Sequence, residues 1–513
     1  MCSRRQAVKD SPLVQLTSDT TIIERMFAID SRALCGFRIT IALVLLSDLA
    51  IRATDLRAMY TDDGMFSRVT ICRYYSSFWN WSFHFGSGAW SYQAFLFLIA
   101  AVAGIALLVG YQARLATIVC WAMVTSVQDR VPAIMQGADN LLRMLIFWGM
   151  FLPLGAVGSV DSLLAKRRGL NWNFPRRVLS VASAAILLQM AMMYFFSAIF
   201  KSNADWMYGT AIGKSLTHAF YAKPIGIKLL AFPWLLKGLT IFVFILEWIG
   251  PLLLFLPQKK PVVRTVVALL LASMHLAIVM LLNVGLFSYV SLCGLILFVP
   301  TFVWDRLERW ANFRKVSQVD TQVPHDMHST LSRYFLQAKI SQAICGFALL
   351  YSIFLNLNGL PATVRPWAPL VESEFLTIGV GLGQKWNMFA ESPSRSGWYV
   401  ARAKLRNGDE VDLLRAGLPV TWERPRSALD VYPNHRWLKC FREMSYSDEM
   451  GFQVFRQPVA QYLGRNWNEH HVVAEQIASL DLIFCRNDDA TMQTSAADIS
   501  RESFARVLFN DSQ

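Results

Sequence analysis

The chain has 513 residues, of which 54% are hydrophobic and only 17% are charged. Soluble domains carry about 25% charged residues, so this composition excludes an ordinary soluble protein and indicates a surface that faces a lipid bilayer. Much of the basic charge behind the net charge of +13 lies in short loops between apolar runs. Membrane topology explains that pattern, and nucleic acid is not an expected partner.

Residues 1–33 form a polar, basic N-terminal segment that we expect to lie in the cytoplasm, where basic flanks of membrane helices are retained. The apolar run that follows, 34–51, lacks the small-residue cleavage site that ends a signal peptide. We therefore predict that this run is kept as the first transmembrane helix.

About nine runs are long enough to cross a bilayer, which needs roughly 20 mostly apolar residues in a helix. They lie at 34–51, 92–110, 114–131, 139–158, 178–200, 233–257, 264–283, 285–303 and 338–356. The first, third and fourth runs are weak because they carry polar residues such as Asp48, Asp129 and Arg143. Such weakness is typical of a helix with one face turned to the protein interior. The predicted fold is an all-α polytopic membrane helix bundle.

Loop charge predicts that the N-terminus is cytoplasmic. The basic loops that this arrangement places inside are 159–177, 258–263 and 304–337. Residues 305–337 are then a cytoplasmic loop, 338–356 the last transmembrane helix, and 357–513 an extracytoplasmic C-terminal domain. We expect a multi-pass protein of a bacterial inner (plasma) membrane.

The C-terminal domain is predicted to be small and to contain β-strands. Residues 398–405 alternate as a half-buried strand does, Asn407-Gly408 is a hairpin-turn signal, and residues 410–414 can return as the second strand. A helical stretch is expected near 468–484.

The chain has eight cysteines, none of them in a CxxC pair, so no metal site is predicted. Cys440 and Cys485 lie in the C-terminal domain and could form a disulfide on an oxidising side of the membrane. The sequence leaves this pairing open.

Ionisable residues inside the predicted spans need a partner or a function, because each costs at least about 2.5–3.5 kcal/mol at the bilayer centre. We expect a structural ion-pair network in which Arg38 or Arg143 meets Asp139 or Glu247.

Lys201 ends a predicted span at its outer boundary and shares a helix face with Ser197, four residues earlier. Taken alone, a lysine at a helix end most often extends its ammonium to the membrane surface as an anchor. The alternative is a lysine that acts as a base, since burial at a membrane boundary disfavours its charged form.

The run Lys201-Ser202-Asn203-Ala204-Asp205-Trp206 with Gly209 resembles the segment around the active-site lysine of vitamin K-dependent gamma-carboxylases. Other segments, in the same order, resemble the broader HTTM (horizontally transferred transmembrane) family that includes those enzymes. These segments are Asp30-Ser31-Arg32, Phe37-Arg38-Ile39, Tyr60-Thr61-Asp62-Asp63-Gly64, Ser159-Val160-Asp161-Ser162-Leu163-Leu164, Glu247-Trp248-Ile249-Gly250-Pro251, His275 and Phe287-Ser288-Tyr289-Val290. The resemblance covers about residues 26–304.

The resemblance implies a membrane enzyme that carboxylates glutamate in a secreted peptide or protein. Its cofactors would be a reduced naphthoquinone (vitamin K or menaquinone), oxygen and carbon dioxide. Lys201 would be the base that deprotonates the quinol, with His275 as the second catalytic residue. The residues expected to bind substrate or support the site are Asp205, Trp206, Asn203, Glu247, Arg38, Asp139 and Tyr289.

The sequence departs from the carboxylases in two places. The nearest match to their second active-site histidine is the run Gly137-Ala138-Asp139-Asn140, and the C-terminal tail is far shorter than the lumenal part of the animal enzymes. Two alternatives therefore stay open. One is a non-carboxylase maturation or immunity partner of a secreted peptide, and the other is a transporter or scaffold without catalysis.

Overall fold

The computed structural model describes residues 21–75, 77–170, 172, 174–257, 261–310, 328–390, 396–446, 452–486 and 499–509. In the helix that begins at His328, side chains are described from residue 339 onward. The described chain forms a helical part up to residue 358 and a C-terminal part built on a five-stranded sheet. This confirms the predicted fold class, a helical membrane bundle with a strand-containing C-terminal domain.

The helical part contains helices of very different length. Its first half contains α1 (Ile22–Phe27), α2 (Ser31–Thr54), α3 (Leu56–Tyr60), α4 (Arg68–Tyr74), α5 (Trp90–Val109), α6 (Ala113–Arg130), α7 (Gly137–Gly149) and α8 (Val160–Arg167). Its second half contains α9 (Val181–Phe200), α10 (Ala204–Met207), α11 (Ala211–Thr217), α12 (Pro224–Lys228), α13 (Pro233–Leu253), α14 (Val262–Leu281), α15 (Phe287–Ile296), α16 (Thr301–Trp310) and α17 (His328–Asn358). A two-stranded ribbon, β1 (Ile29–Asp30) with β2 (Arg177–Val178), joins the segments before α2 and α9.

Within the described residues, six helices are long and apolar enough to cross a membrane. They are α2, α5, α9, α13, α14 and the Lys339–Asn358 part of α17. Helices α15 and α16 together add a seventh candidate, bent by 93° at the break between them. Multi-pass membrane character is therefore supported, with six or seven candidate spans among these residues.

The expected number of about nine spans is not confirmed, because two predicted spans do not qualify. Helix α7 has only 13 residues, nearly all of them buried in the bundle. Helix α6 ends in a buried polar run that includes Asp129 and Arg130. Both helices pack inside the bundle, which explains the weak hydrophobicity of their sequences.

The predicted cytoplasmic loop 305–337 is partly helical. Helix α16 extends into it as far as Trp310, and α17 begins at His328, ten residues before the expected start of the last span. Residues 311–327 of that predicted loop lie outside the described residues. The sidedness of this segment stays a prediction.

The C-terminal domain is an antiparallel sheet with two helices, α18 (His435–Ser445) and α19 (Arg456–Asn468). Its strands are β3 (Gly397–Leu405), β4 (Glu410–Asp412), β5 (Leu418–Pro419), β6 (Ile477–Arg486) and β7 (Ser500–Leu508), in the spatial order β5-β4-β3-β6-β7. The predicted hairpin is confirmed, since Arg402 pairs with Asp412 and Lys404 with Glu410 across the turn.

The helix expected near 468–484 is wrong. Helix α19 ends at Asn468, and β6 begins at Ile477. This strand hydrogen-bonds to β3 on one side and to β7 on the other. Hydrogen bonds and packing with neighbouring strands on both edges stabilise the strand more than local helix propensity stabilises a helix.

Cys440 and Cys485 are both free in the structure. Cys440 packs into the core between the sheet and α18, whereas Cys485 packs with Trp398 and Val400 on the opposite face of the sheet. The Cys485 side chain points to the face of the sheet that is opposite α18, which carries Cys440. The disulfide that the sequence left open is therefore not formed.

A segment that we call the strap, residues 375–390, connects α17 to the C-terminal domain. It begins with a π-helical turn, Phe375–Gly379, and then enters the helical part, where Leu382 and Trp386 are fully buried. The indole of Trp81 donates to the carbonyl of Gly379 at 2.7 Å. The strap also contacts Arg143 of α7 and Gln189 of α9, and it passes beside the candidate site.

Candidate functional site

Lys201 caps the C-terminal end of α9, a helix that begins with a capping box formed by Ser180 and Ser183. The backbone N–H of Lys201 donates to the carbonyl of Ser197 at 3.0 Å. Tyr194, Ser197 and Lys201 follow one another at intervals of three and four residues, so their side chains share one face of α9. That face is turned into the bundle, and Lys201 is only 5% exposed.

The partner of Lys201 is Glu247 on α13, the helix that packs against α9. The ammonium Nζ lies 2.6 Å from Oε1 and 2.7 Å from Oε2 of Glu247, whose exposed fraction is also 5%. A lysine paired inside the bundle does not anchor the chain to the membrane surface. The prediction that Glu247 meets an arginine is therefore wrong, because the cation that reaches it is Lys201.

Trp206 and Asn203 lie in the segment that follows Lys201 and connect the pair to the strap. The Lys201 ammonium lies 4.7 Å from the centre of the Trp206 ring, within the range of a cation–π contact. The Trp206 indole donates to the carbonyl of Phe389 at 2.8 Å, and the Asn203 amide donates to the carbonyl of Ala390. Both residues thus attach the strap beside the site.

Asp205 belongs to the same sequence run but points away from the pair. Its carboxylate accepts from Lys214 at 2.5 Å and from the hydroxyl of Thr210 at 3.1 Å, at a partly exposed position. These contacts fix the short turn from α10 to α11. We therefore describe Asp205 as a residue that shapes the loop beside the site.

His275 reaches the site from α14. Its Nε2 lies 2.8 Å from the hydroxyl of Tyr194, which is on the same face of α9 as Lys201. Its Nδ1 is buried and has no hydrogen-bond partner among the described residues. The ring is close enough to Lys201 for the two groups to interact electrostatically. Three helices, α9, α13 and α14, therefore bring Lys201, Glu247, Tyr194 and His275 together.

Three of the predicted site residues, Arg38, Tyr289 and Asp139, lie away from the Lys201 pair. Arg38 donates to the carbonyls of Leu154 and Gly158, in the turn after α7, at 3.1 and 2.7 Å. Tyr289 is 43% exposed on the surface of α15. The expected pairing of Arg38 with an acid is wrong, because its two terminal nitrogens donate to backbone carbonyls of the loop after α7.

Asp139 belongs to a second buried cluster, the charge network of Asp48, Arg52, Asp139 and Arg436. Arg52 donates to Asp48 at 2.7 Å and to Asp139 at 2.6 Å. Arg436, on α18, donates to Asp48 at 2.6 Å and to Asp139 at 2.5 Å. Two aspartates and two arginines give a network without net charge, and it joins the C-terminal domain to α2 and α7.

Some of these partners could be anticipated from sequence spacing and others could not. Asp48 and Arg52 are four residues apart, a spacing that places them on one helix face, whereas Arg436 is 388 residues away from Asp48. The role of Tyr194 could not be predicted, because a tyrosine in a run of aromatic residues is usually a packing residue. Arg143 has no direct acidic partner among its hydrogen bonds, which go to Gln128, Asn140 and the carbonyl of Gly383.

The helical architecture and the buried charges define a multi-pass membrane protein with an internal polar site. The HTTM domain family matches residues 27–304, more than half of the 513-residue chain, and the protein belongs to that family. No curated protein and no solved structure matches the chain.

Proposed function

We propose that this HTTM protein is a quinol-dependent membrane enzyme of the gamma-carboxylase type that modifies a secreted peptide or protein, with Lys201 as its base. The observation that supports this most is the burial of Lys201 against Glu247. A lysine and a carboxylate held together inside a membrane domain form a pair between which a proton can move.

The proton transfer that this requires is short. Moving one proton from Nζ of Lys201 to a Glu247 oxygen, over 2.6 Å, converts two buried charges into a neutral amine and a neutral acid. The neutral amine then has a free electron pair with which it accepts the proton of a bound acid.

His275 and Tyr194 form the second part of the proposed site. The hydrogen bond between Nε2 and the tyrosine hydroxyl fixes the imidazole ring. The other ring nitrogen, Nδ1, is buried and left without a partner among the described residues. His275 would therefore position the substrate while Lys201 takes the proton.

The residues around Lys201 are suited to a reduced naphthoquinone, which needs aromatic or apolar walls and a few polar contacts. Trp206 and Phe287 supply aromatic surface next to Lys201 and His275 respectively. Lys201 and the free nitrogen of His275 supply the polar contacts. When bound, the quinol would supply, on reaction with oxygen, the strong base needed to remove a glutamate proton before carbon dioxide is captured.

A second candidate function is supported by Asp139. In the resemblance to the carboxylases, the run containing Asp139 stands where a second active-site histidine is expected, and here it is engaged in the charge network. A maturation or immunity partner of a secreted peptide, without carboxylation, needs no such histidine. Either function fits a protein with a cytoplasmic N-terminus and an extracytoplasmic C-terminal domain in a bacterial inner membrane.

The test uses the full chain purified in detergent, with reduced menaquinone, oxygen, labelled bicarbonate and a glutamate-containing peptide. We expect label in the peptide for the parent and for Lys214→Ala, whose lysine forms a surface ion pair, and none for Lys201→Ala. Equal labelling by Lys201→Ala would contradict the role of Lys201. Quinol oxidation by the parent without label in the peptide would argue against carboxylation and favour the second candidate. No quinol oxidation at all would contradict the proposed quinol-dependent enzyme.

A further inference from the structure

A group of buried polar atoms lies where α6, α7 and the strap meet, apart from the Lys201 pair. Their shared property is that each has no hydrogen-bond partner among the described residues. The atoms are Nε1 of Trp121, Oγ1 of Thr125, Oδ2 of Asp129, Nε of Arg143 and Nε2 of Gln384. Buried polar atoms in proteins are rarely left unpaired, so a group of five requires a physical explanation.

Three of these atoms come from one face of α6. Trp121, Thr125 and Asp129 follow one another at intervals of four residues, which aligns their side chains along the helix. Helix α7 packs against α6, and its Phe147 ring lies 6.2 Å from the ring of Trp121. Arg143 precedes Phe147 by one helical turn and is therefore placed toward Asp129.

Asp129 and Arg143, an acidic and a basic side chain, are only 7% and 5% exposed. They interact electrostatically, yet within the part of the chain that the structure describes neither Oδ2 of Asp129 nor Nε of Arg143 has a hydrogen-bond partner. A buried carboxylate oxygen without a hydrogen bond is costly. A polar contact too long for a direct hydrogen bond is commonly completed by a bridging water.

The strap closes this region from the C-terminal side. Gln384 accepts from Gln189 at 2.6 Å and from the Trp386 indole at 3.1 Å, which leaves its own amide donor unused. Gly381 has a φ of +71°, and a methyl group added there would lie 3.1 Å from Nε of Arg143. The Arg143 side chain therefore packs closely against Gly381, and a methyl group at this position would press on it.

We propose that this region is a buried water site in which water bridges Oδ2 of Asp129 to Nε of Arg143. The unpaired atoms include three N–H donors and one carboxylate acceptor, and water satisfies both kinds. A metal cation is disfavoured by the guanidinium, and an anion is disfavoured by the carboxylate. The weak hydrophobicity of α6 and α7 then reflects an internal hydrated charge pair. This inference does not depend on the proposed enzymatic function.

The first test is infrared spectroscopy of the full chain in detergent, with Asp129→Asn as the comparison. We expect the variant to lose a carboxylate band, because hydration keeps Asp129 ionised. We also expect water bands that shift in oxygen-18 water and that weaken in the variant. Loss of a protonated carbonyl band instead, with no change in the water bands, would show a dry neutral acid and overturn the proposal.

The second test compares Gly381→Ala with Gly169→Ala. Both glycines have a positive φ, +71° and +67°, so alanine strains the backbone similarly, but the methyl group at 169 meets nothing within 4 Å. We expect only Gly381→Ala to weaken the water bands, because its methyl group would displace the Arg143 side chain. Unchanged bands in folded Gly381→Ala would contradict the site. Should that variant fail to fold, the Asp129→Asn spectra decide the question by themselves.

Discussion

Lys201 and Glu247 hold each other inside the membrane domain, with both carboxylate oxygens of Glu247 within 2.7 Å of the lysine nitrogen. Neither residue has another charged partner among the described ion pairs. Each therefore depends on the other for the solvation that it lost on burial. The contribution of the pair to stability can therefore be tested separately from its proposed role in proton transfer.

Removing one member of the pair should destabilise the protein strongly. We expect Glu247→Gln or Lys201→Met to lower the free energy of unfolding by about 3–5 kcal/mol, because a buried charge is left without a partner. The double variant Lys201→Met/Glu247→Leu should recover much of that loss. Thermal unfolding in detergent measures all three.

The surface pair of Lys214 and Asp205 is the matched control. Its lysine side chain is 51% exposed, and exposed pairs contribute only about 0–1 kcal/mol. Lys214→Ala should therefore melt close to the parent. A double variant at Lys201 and Glu247 that is no more stable than the single variants would contradict the paired description.

The charge network gives a second prediction, which concerns the attachment of the C-terminal domain. Arg436→Met leaves two aspartates with Arg52 as their remaining cation in the network. We expect a loss of about 3–5 kcal/mol and faster release of the C-terminal domain by limited proteolysis. The control is Arg57→Ala, since Arg57 and Glu469 form a contact between the same two parts at about 44–45% exposure. Equal effects of the two variants would contradict the importance of burial.

The sequence predicted the elements better than it predicted the partners. Spans such as α9 and α13 and the hairpin at Asn407-Gly408 follow from hydrophobic length and turn chemistry, which are local. The Lys201 run could be located in the same way. Its pairing with Glu247 could not, because α9 and α13 meet only through tertiary packing. Arg436 is the extreme case, since nothing near it in sequence indicates two aspartates hundreds of residues away.

A third prediction concerns acid stability. Burial, helped by the nearby Arg436 charge, lowers the pKa of His435 from 6.5 to about 4. The unfolded chain therefore takes up this proton first as the pH falls, and stability is lost between about pH 6.5 and pH 4. We expect His435→Gln to reduce the fall in melting temperature between pH 7 and pH 5. The surface variant His470→Gln should fall as the parent does, and an equal fall in His435→Gln would contradict the argument.

A fourth prediction tests the orientation in the membrane. Cys72 is exposed and lies between the first two predicted spans, in a segment that a cytoplasmic N-terminus would place outside. A membrane-impermeant thiol reagent should label it in intact cells, and Cys72→Ser should abolish that labelling. In a Cys72→Ser background, Lys166→Cys should react only after the membrane is permeabilised. Labelling of Lys166→Cys in intact cells would invert the assignment.

The last prediction separates a lysine that acts as a base from one that only completes an ion pair. Arginine in place of Lys201 can still pair with Glu247, because its guanidinium binds a carboxylate through two N–H groups. It has no neutral form near neutral pH, since its pKa lies above about 12. Lys201→Arg should therefore keep a melting temperature close to that of the parent while losing quinol-dependent turnover.

The same reasoning predicts that a small primary amine restores part of the turnover of Lys201→Ala, because the amine supplies the missing electron pair. The amine should not restore the turnover of Lys201→Arg, because the guanidinium fills the site. Melting curves recorded beside the activity assay exclude unfolding as the cause of any loss. Parent-like turnover in a stable Lys201→Arg variant would show that the charge alone is needed. Lys201 would then be a structural partner of Glu247, and the base would have to be another group.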